Sequence, residues 1–548
     1  MMRLTQHKKA LALCGGIILI GAGIFAITGH SQSTKKAVAQ HLNLYETATI
    51  SSLDVAKITD SVSGNTLSQV GEGLYRLNAD GQAQNALATK TTVTDSGHHY
   101  TINLRHNAKW SNGDPVTAQD FVYSWKRTLN PKSKSEFTYQ FANIKNASAI
   151  AAGKKSPATL GVTAVGKYQL KITLSQPAAY FKQMLASTTY YPLNQRAVKQ
   201  YGRKYGSSAA TTVYNGPFVL KNWNGTSDSW TLKKNPTYVD AKSVKLSSIK
   251  YQVIKTSSTA YNLYQSKRLD AVTLDGEQTT QNKNNPNLKS LAAGRIGFIQ
   301  YNEDNKIAAN KNLRLAISLA INRQQLADHV LKNGSQPAKT FAIHHMMTNA
   351  KTGKDFTTDA YVKNTADYNP TLAKQTYQKA LKQLGKKQLS VTITCGDDDT
   401  TKNVAEFIQS TVSSKLGLKV NVSAMPFPSM LSNVSKGNFE LNLTGWSMDN
   451  ADPIQSLQIL ASTNNSNMGH YDSKTYDQAL AKSEGKDALR PTARYQDLLT
   501  AAKTALTDQA VTPLYEARTN TLVNPKVKGV VYNKFNGSPD YQHAYVTD

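Results

Sequence analysis

Residues 389–443 read LSVTITCGDDDTTKNVAEFIQSTVSSKLGLKVNVSAMPFPSMLSNVSKGNFELNL, and their periodicity decides the fold class. Leu389, Val391 and Ile393 alternate as a strand. Val404, Phe407, Ile408 and Val412 recur at helical spacing, and Gly417 closes that helix. Leu418, Val420 and Val422 alternate again, as do Phe439, Leu441 and Leu443. Strand–helix–strand alternation of this kind predicts an α/β sheet with crossover helices. Ligands of such sheets sit just beyond the carboxyl ends of strands. The segment Thr444-Gly445-Trp446-Ser447-Met448-Asp449 is expected to follow a strand at that end.

Working outward, Leu313, Ala316, Ile317, Ala320 and Ile321 fall on one helix face. Leu372, Ala380, Leu381 and Leu384 fall on another, with Gly385 as its C-cap. The first half differs. Tyr100, Ile102 and Leu104, and then Leu170, Ile172 and Leu174, alternate with polar residues after turns at Ser96-Gly97 and Val165-Gly166. These are half-buried strands of a mostly antiparallel region. No internal repeat or low-complexity stretch follows the polar linker Ser31–Gln40.

The chain has 548 residues, enough for two or three domains, and 39% of them are hydrophobic, enough for a true core. Lys and Arg number 64 against 36 Asp and Glu, a net charge of +28. That excess points to an acidic partner or surface. Arg3, Lys8 and Lys9 precede an apolar or small run from Ala10 to Ile27, the pattern of an export signal. Cleavage after Ala37-Val38-Ala39, or retention of the run as a signal anchor, both fit it. Cys14 lies before most of the apolar run and follows Leu13, so it is a membrane-segment residue and not a lipidation site. Export, dispersed basic residues and the absence of a binding motif set nucleic acid aside. An anionic membrane or cell wall fits the charge better. With only Cys14 and Cys395, a disulfide scaffold and a Cys-rich zinc site are both excluded.

No catalytic constellation is specific. G-x-S-x-G, H-E-x-x-H and the phosphate-binding G-x-x-x-x-G-K-[ST] are all missing from the sequence. Asp397-Asp398-Asp399 precedes a helix and reads as a solvated N-cap. His98-His99 and His344-His345 lie in a hairpin turn and a loop, and neither pair reads as a metal site. The reading is therefore non-enzymatic, with no catalytic residues, no metal and no cofactor. Tyrosine numbers 27. Most of these are core and strand residues, and a few suit the walls of a cleft.

The stretch from Leu104 through Asn112-Gly113-Asp114-Pro115 to Trp125 resembles the signature of oligopeptide-binding proteins of ABC importers, the peptide/nickel class of extracytoplasmic solute-binding proteins. Glu72-Gly73-Leu74-Tyr75, Asn215-Gly216-Pro217-Phe218, Leu313–Ser318 before Asn322-Arg323, and Gly445-Trp446 leading to Asp449 and Asp452-Pro453 follow in that family's order. The resemblance covers the chain after about residue 41. It implies an α/β, two-lobed periplasmic-binding-protein-like (type II) fold with an extra third domain and a hinge between the lobes. By analogy lobe I is discontinuous, over 41–61, 206–296 and 510–548, with 62–205 inserted on it. Lobe II spans 297–509, and 1–40 is the signal segment and linker.

The same resemblance implies function. Asp449 holds the place of an aspartate that pairs with a peptide's α-ammonium, and a carboxylate in a dry cleft requires such a cation. Backbone at Thr444, Gly445, Trp446 and Ser447, and at Ala48, Thr49 and Ile50, would bind the peptide main chain by strand addition. Trp446, Phe427 and Phe137 match aromatic places near the ligand. Arginines that meet the peptide carboxylate in some relatives are replaced by Leu443 and Val434, which favours longer peptides or a peptide signal. The implied protein is a monomeric receptor at the outer face of the cytoplasmic membrane, delivering oligopeptides to membrane permease subunits. The rivals are a same-fold receptor for a metal chelate or sugar, a pheromone receptor, a secreted hydrolase and a charge-driven adhesin.

Overall fold

The computed structural model describes residues 38–548 apart from Thr59, Asp449 and the side chain of Pro428. The export segment, Cys14 and the cleavage motif up to Ala37 therefore lie outside the described residues, as does the Asp449 reading. Among the described residues no helix is long and apolar enough to cross a membrane.

The fold starts inside the expected linker. Gln40 donates its side-chain amide to the Val546 carbonyl (2.8 Å) and accepts the Val546 N–H (3.0 Å), which ties the two ends of the folded chain together. Strand β1 (His41–Glu46) and helix α1 (Ser61–Val70) follow. Asp60 caps α1, accepting the Ser63 N–H at 2.8 Å.

The alternating strands of the first half form a four-stranded antiparallel sheet of β2 (Ala88–Thr94), β3 (His99–Leu104), β4 (Val162–Val165) and β5 (Gln169–Thr173), in the order β2-β3-β5-β4. Helix α2 (Ala118–Leu129) covers it, burying Phe121, Val122 and Trp125. The long signature stretch is the scaffold of this region. The Thr117 N–H donates to Asp120 at 2.8 Å, the Trp110 indole N–H reaches the same carboxylate at 3.3 Å, and the Trp125 indole donates to the Tyr190 carbonyl at 2.9 Å.

Strands β6 (Phe218–Lys221), β7 (Ser229–Lys234) and β8 (Ser248–Val253) complete a second sheet, in which β8 lies parallel to β1. A third sheet is built from β9 (Ala271–Thr273), β10 (Leu288–Tyr301), β11 (Ser390–Gly396), β12 (Lys419–Met425), β13 (Leu441–Ser447) and β14 (Val511–Val523), in the order β9-β14-β10-β13-β11-β12. β13, β11 and β12 run parallel, as the crossover pattern requires. Helices α3 (Lys311–Ala320) and α4 (Pro370–Leu384) lie in the connection from β10 to β11, and α5 (Asp399–Leu416) is the crossover from β11 to β12. Gly385 and Gly417 end two of them in the left-handed region, at φ 65° and 73°. Asp398 accepts the Thr401 N–H at 2.9 Å, so the aspartate run is the N-cap of α5.

β10 and β14 are the long strands, of 14 and 13 residues. Their ladder shifts register twice near the middle, between Ala292 and Ile296 and again between Gly297 and Phe298. Ala292 pairs with Arg518 and Ile296 with Glu516, so Ala293, Gly294 and Arg295 bulge out opposite Ala517 alone. Gly294 sits at φ 60°, and a Cβ there would fall 3.0 Å from that of Asn536.

Candidate functional site

β13 runs from core to surface. Leu441, Asn442 and Leu443 are buried, Thr444 to Trp446 are half-buried, and Ser447 is exposed. The sequence places Thr444–Ser447 after a strand. They are instead the strand's own C-terminal half. One flank of that half is paired, since Thr444, Gly445, Trp446 and Ser447 oppose Phe298, Gly297, Ile296 and Arg295 of β10. On the other flank the ladder with β11 stops at Cys395↔Leu443. β11 ends at Gly396, where the chain turns into the Asp398 cap of α5. The Thr444–Ser447 backbone therefore presents an edge in the interior of a sheet, with no ladder partner on that side among the described residues. Such an edge is a template for an added strand.

The edge is held rigidly. The Trp446 indole N–H donates to the Gln455 carbonyl at 2.8 Å, and the Met448 N–H donates to the Gly294 carbonyl in the β10 bulge at 2.9 Å. Beyond it, Arg494 grips Asp452 with two bonds of 2.8 and 2.9 Å, both side chains buried. Arg295 lies over Gly445. A Cβ on that glycine would sit 2.6 Å from the Arg295 Nε, so the guanidinium occupies space that a side chain would need. Its Nη1 lies 3.4 Å from the Ser447 hydroxyl.

The other residues named from sequence are spread more widely. Ala48 is exposed, Thr49 donates its hydroxyl to the Ser227 carbonyl (2.8 Å), and Ile50 is buried in the core under β1, β6, β7 and β8. Phe427 opens helix α6 (Phe427–Ser435) and is 58% exposed, with Leu431 one turn on 47% exposed. Phe137 is half-buried, its ring 6.1 Å from that of Tyr139. Leu443 and Val434 are core residues, so arginines would not be accommodated at either place.

Sequence reasoning missed several groups beside the bulge. His344 Nδ1 lies 2.9 Å from Glu516, whose carboxylate also accepts the His344 N–H at 3.1 Å. That hydrogen bond raises the histidine's pKa against the opposing effect of burial. Arg518 donates to the Ser290 hydroxyl (2.8 Å) and carbonyl (2.6 Å). Gly294, an obvious breaker inside an apolar strand, was the available signal for this place.

One cavity adjoins the bulged strands, and a second lies beside Asp452 and Arg494. The first, of about 490 Å³, is lined by the end of β1, by Leu291 and Ala292 of β10, by Thr519 and Thr521 of β14, and by the 536–539 loop. The other, of about 770 Å³, is lined by Gly81, Met346, Ala451, Asp452 and Arg494 among others. Both are of a size that receives small organic ligands or single side chains. No group of three His, Cys, Asp or Glu side chains able to hold a metal occurs among the described residues.

The model of the family described as bacterial extracellular solute-binding proteins, family 5 Middle, matches residues 82–468. A dipeptide-binding protein of Lactococcus lactis subsp. cremoris (strain MG1363) is 36% identical over 548 residues, covering 97% of each chain. The structure of Listeria monocytogenes OppA bound to peptide is 36% identical, with a TM-score of 0.75, over 93% of this chain and 100% of that one. The pheromone receptor PrgZ matches equally, at 36% identity and TM-score 0.75, with the same coverage.

Proposed function

The chain belongs to the family 5 bacterial extracellular solute-binding proteins, and on that premise we propose that it captures oligopeptides outside the cytoplasmic membrane and delivers them to the permease of an ABC importer. The observation that carries the reading is the unpaired edge at Thr444–Ser447. Main-chain recognition suits a receptor for many peptides, because every peptide offers the same backbone. Asp449, two residues past that edge, is proposed to receive the leading ammonium. Trp446 and the exposed Phe427 supply apolar wall. Phe137 and the stretch Ala48, Thr49 and Ile50 are proposed to line the opposing side.

The lobes are proposed to follow the boundaries implied by the resemblance, with one adjustment. β14 pairs with the far half of β10 through Glu516. The return crossing is therefore assigned to Ala517 and not to residue 510, and the hinge to Ala293–Arg295 opposite it. Closure then consists of bending two strands at a shared irregularity, stabilised by contacts a ligand adds. The N-terminal segment is proposed to hold the receptor at the membrane, as an anchor or until its cleavage, and the receptor acts as a monomer. A signalling variant of the reading, capture of a peptide pheromone, is favoured by the equal likeness to PrgZ.

The test uses alanine-based pentapeptides with each amide N-methylated in turn. Strand addition predicts that binding falls more than about tenfold at alternate positions and little between them. Uniform tolerance of methylation would refute the edge. Asp449→Ala should weaken peptides with a free amino terminus far more than about tenfold and leave N-acetylated ones little changed. Mass spectrometry of ligands released from the denatured full-length protein separates nutrient mixtures from a single signal peptide.

A further inference from the structure

The cavity of about 490 Å³ at the end of β1 has an unusual charge. The chain is strongly basic, yet among the described residues no lysine, arginine or histidine lines this space. Apart from tyrosine hydroxyls, Glu46 is its one ionisable lining group among the described residues. That carboxylate takes part in no ion pair among the described residues, and its hydrogen-bond partner is the Asn65 amide of α1. Burial lifts its pKa to about 7, the Asn65 bond opposes this, and the nearby Asp60 adds to it. Asp60 is itself committed to capping, bonded to the Ser51 hydroxyl and to the Ser63 N–H and hydroxyl. Lys289, whose ammonium lies 5.8 Å from the Tyr532 ring, is exposed.

A half-buried carboxylate without a cation is destabilised where it stands. The walls around it are suited to bringing one in. Tyr45, Tyr251, Tyr532 and Tyr541 line the same cavity. Their faces accept an aliphatic stem, and they attract a cationic head as well.

Resting on the peptide-binding reading above, we infer that this cavity is a subsite for a cationic group of the bound peptide, and that Glu46 is the residue that selects it. The group is the ammonium or guanidinium of a lysine or arginine side chain. Glu46 then acts separately from Asp449, which the reading assigns to the amino terminus. A neutral or acidic side chain at the same position would leave the carboxylate unpaired or repelled.

The experiment titrates the full-length protein with alanine-based pentapeptides that carry Lys, Gln or Glu at each position in turn, free and N-acetylated. The expected result is one position at which Lys binds about tenfold or more tighter than Gln, with Glu weaker still. Glu46→Gln should bring that Lys-to-Gln ratio close to one. Should this variant not fold, the wild type carries the test alone. Lowering the pH from about 8 to about 5.5 protonates the carboxyl and should shrink the ratio by roughly tenfold or more. The groups facing Glu46 are Asp60, Asn65 and the tyrosines Tyr45, Tyr251 and Tyr541. The tyrosines stay neutral over that range, and Asp60 is held below the ordinary carboxylate range by hydrogen bonds that outweigh its burial. Peptide termini titrate alike in both members of each pair, so the ratio cancels them.

Binding of the whole series with no Lys preference at any position overturns the subsite and leaves peptide capture standing. Failure of every peptide to bind the wild type overturns capture and subsite together. If Glu46→Gln leaves a Lys preference intact and instead abolishes discrimination against N-acetylation, the assignment of the subsite to Glu46 is overturned.

Discussion

Replacing Arg494 by leucine should be among the most damaging single changes near the site, and its size can be worked from the pair it breaks. The guanidinium makes two bonds to Asp452, at 2.8 and 2.9 Å, and a third to the Ser483 carbonyl at 3.2 Å. The side chains are only 4% and 7% exposed, so solvent does little to screen them. Removing one partner of such a pair leaves a buried, unpaired charge and costs about 3–5 kcal/mol. The stranded Ser483 carbonyl adds about 1 kcal/mol. Glu484, whose carboxyl is pushed up by burial and held down by Arg494, loses its cation as well. The expected loss in urea unfolding of the full-length protein is therefore about 4–6 kcal/mol. The double variant Arg494→Leu with Asp452→Asn removes both charges and should recover about 2 kcal/mol or more of that loss. Asp452 also accepts the Ile454 N–H at 3.0 Å and fixes the segment that carries Asp449, so peptide affinity should fall in the single variant too. A loss under about 1 kcal/mol, the size expected of a screened surface pair, would refute the reasoning.

Gly297 opposes Tyr515 in register, and a Cβ there would lie 2.5 Å from two atoms of its ring, so Gly297→Ala should destabilise by about 1–3 kcal/mol in the same urea assay. His344, whose pKa is raised by Glu516, should contribute stability that is full below its unfolded pKa and is lost as pH rises through the folded one. Urea midpoints of wild type and His344→Gln should accordingly converge between about pH 6 and about pH 9, and a gap that widens over that range would reverse the sign. Cys395 is fully buried, and burial lifts its thiol to about 11. In a Cys14→Ser background a thiol reagent at about pH 8 should label it only after unfolding, and rapid labelling of the native protein would contradict its position in the sheet.

What the sequence made legible was local. The caps at Gly385, Gly417 and Asp398 each rest on a residue type that one backbone geometry favours, and each is found at the expected end. The alternation at Tyr100, Ile102 and Leu104 reports one buried face, and those side chains are buried. Pairing between distant segments leaves no such mark. Nothing in residues 288–301 alone says that they pair with 511–523, or that three residues bulge at Ala293. The edge at Thr444–Ser447 exists only because β11 stops at Gly396, and it takes both strands together to see it. Glu46 is equally silent in sequence, as the last residue of an alternating strand, because its cavity is closed largely by residues from Tyr251 to Tyr541, far along the chain. Leu443 and Val434 are equally unmarked in sequence. Aligned to ligand-contacting positions, they turn out to be core residues, which a one-dimensional alignment cannot distinguish.

An open strand edge in the middle of a sheet is an aggregation hazard that folded proteins normally hide. Here it is kept, and the surrounding residues limit the hazard without closing it. The open stretch is four residues long, too short to pair stably with another chain on backbone bonds alone. The Arg295 guanidinium lies over Gly445, and it places a charge where a hydrophobic strand would dock. Gly445 is what lets that guanidinium come so close, while the indole bond from Trp446 to Gln455 fixes the orientation of the half-buried Trp446 side chain. A stray strand meets a short, charged edge. A peptide that also satisfies the acidic groups proposed at its ammonium and side chains gains enough further contact to stay. Selectivity on this reading comes from the charges set around the edge, and breadth of sequence from the edge itself.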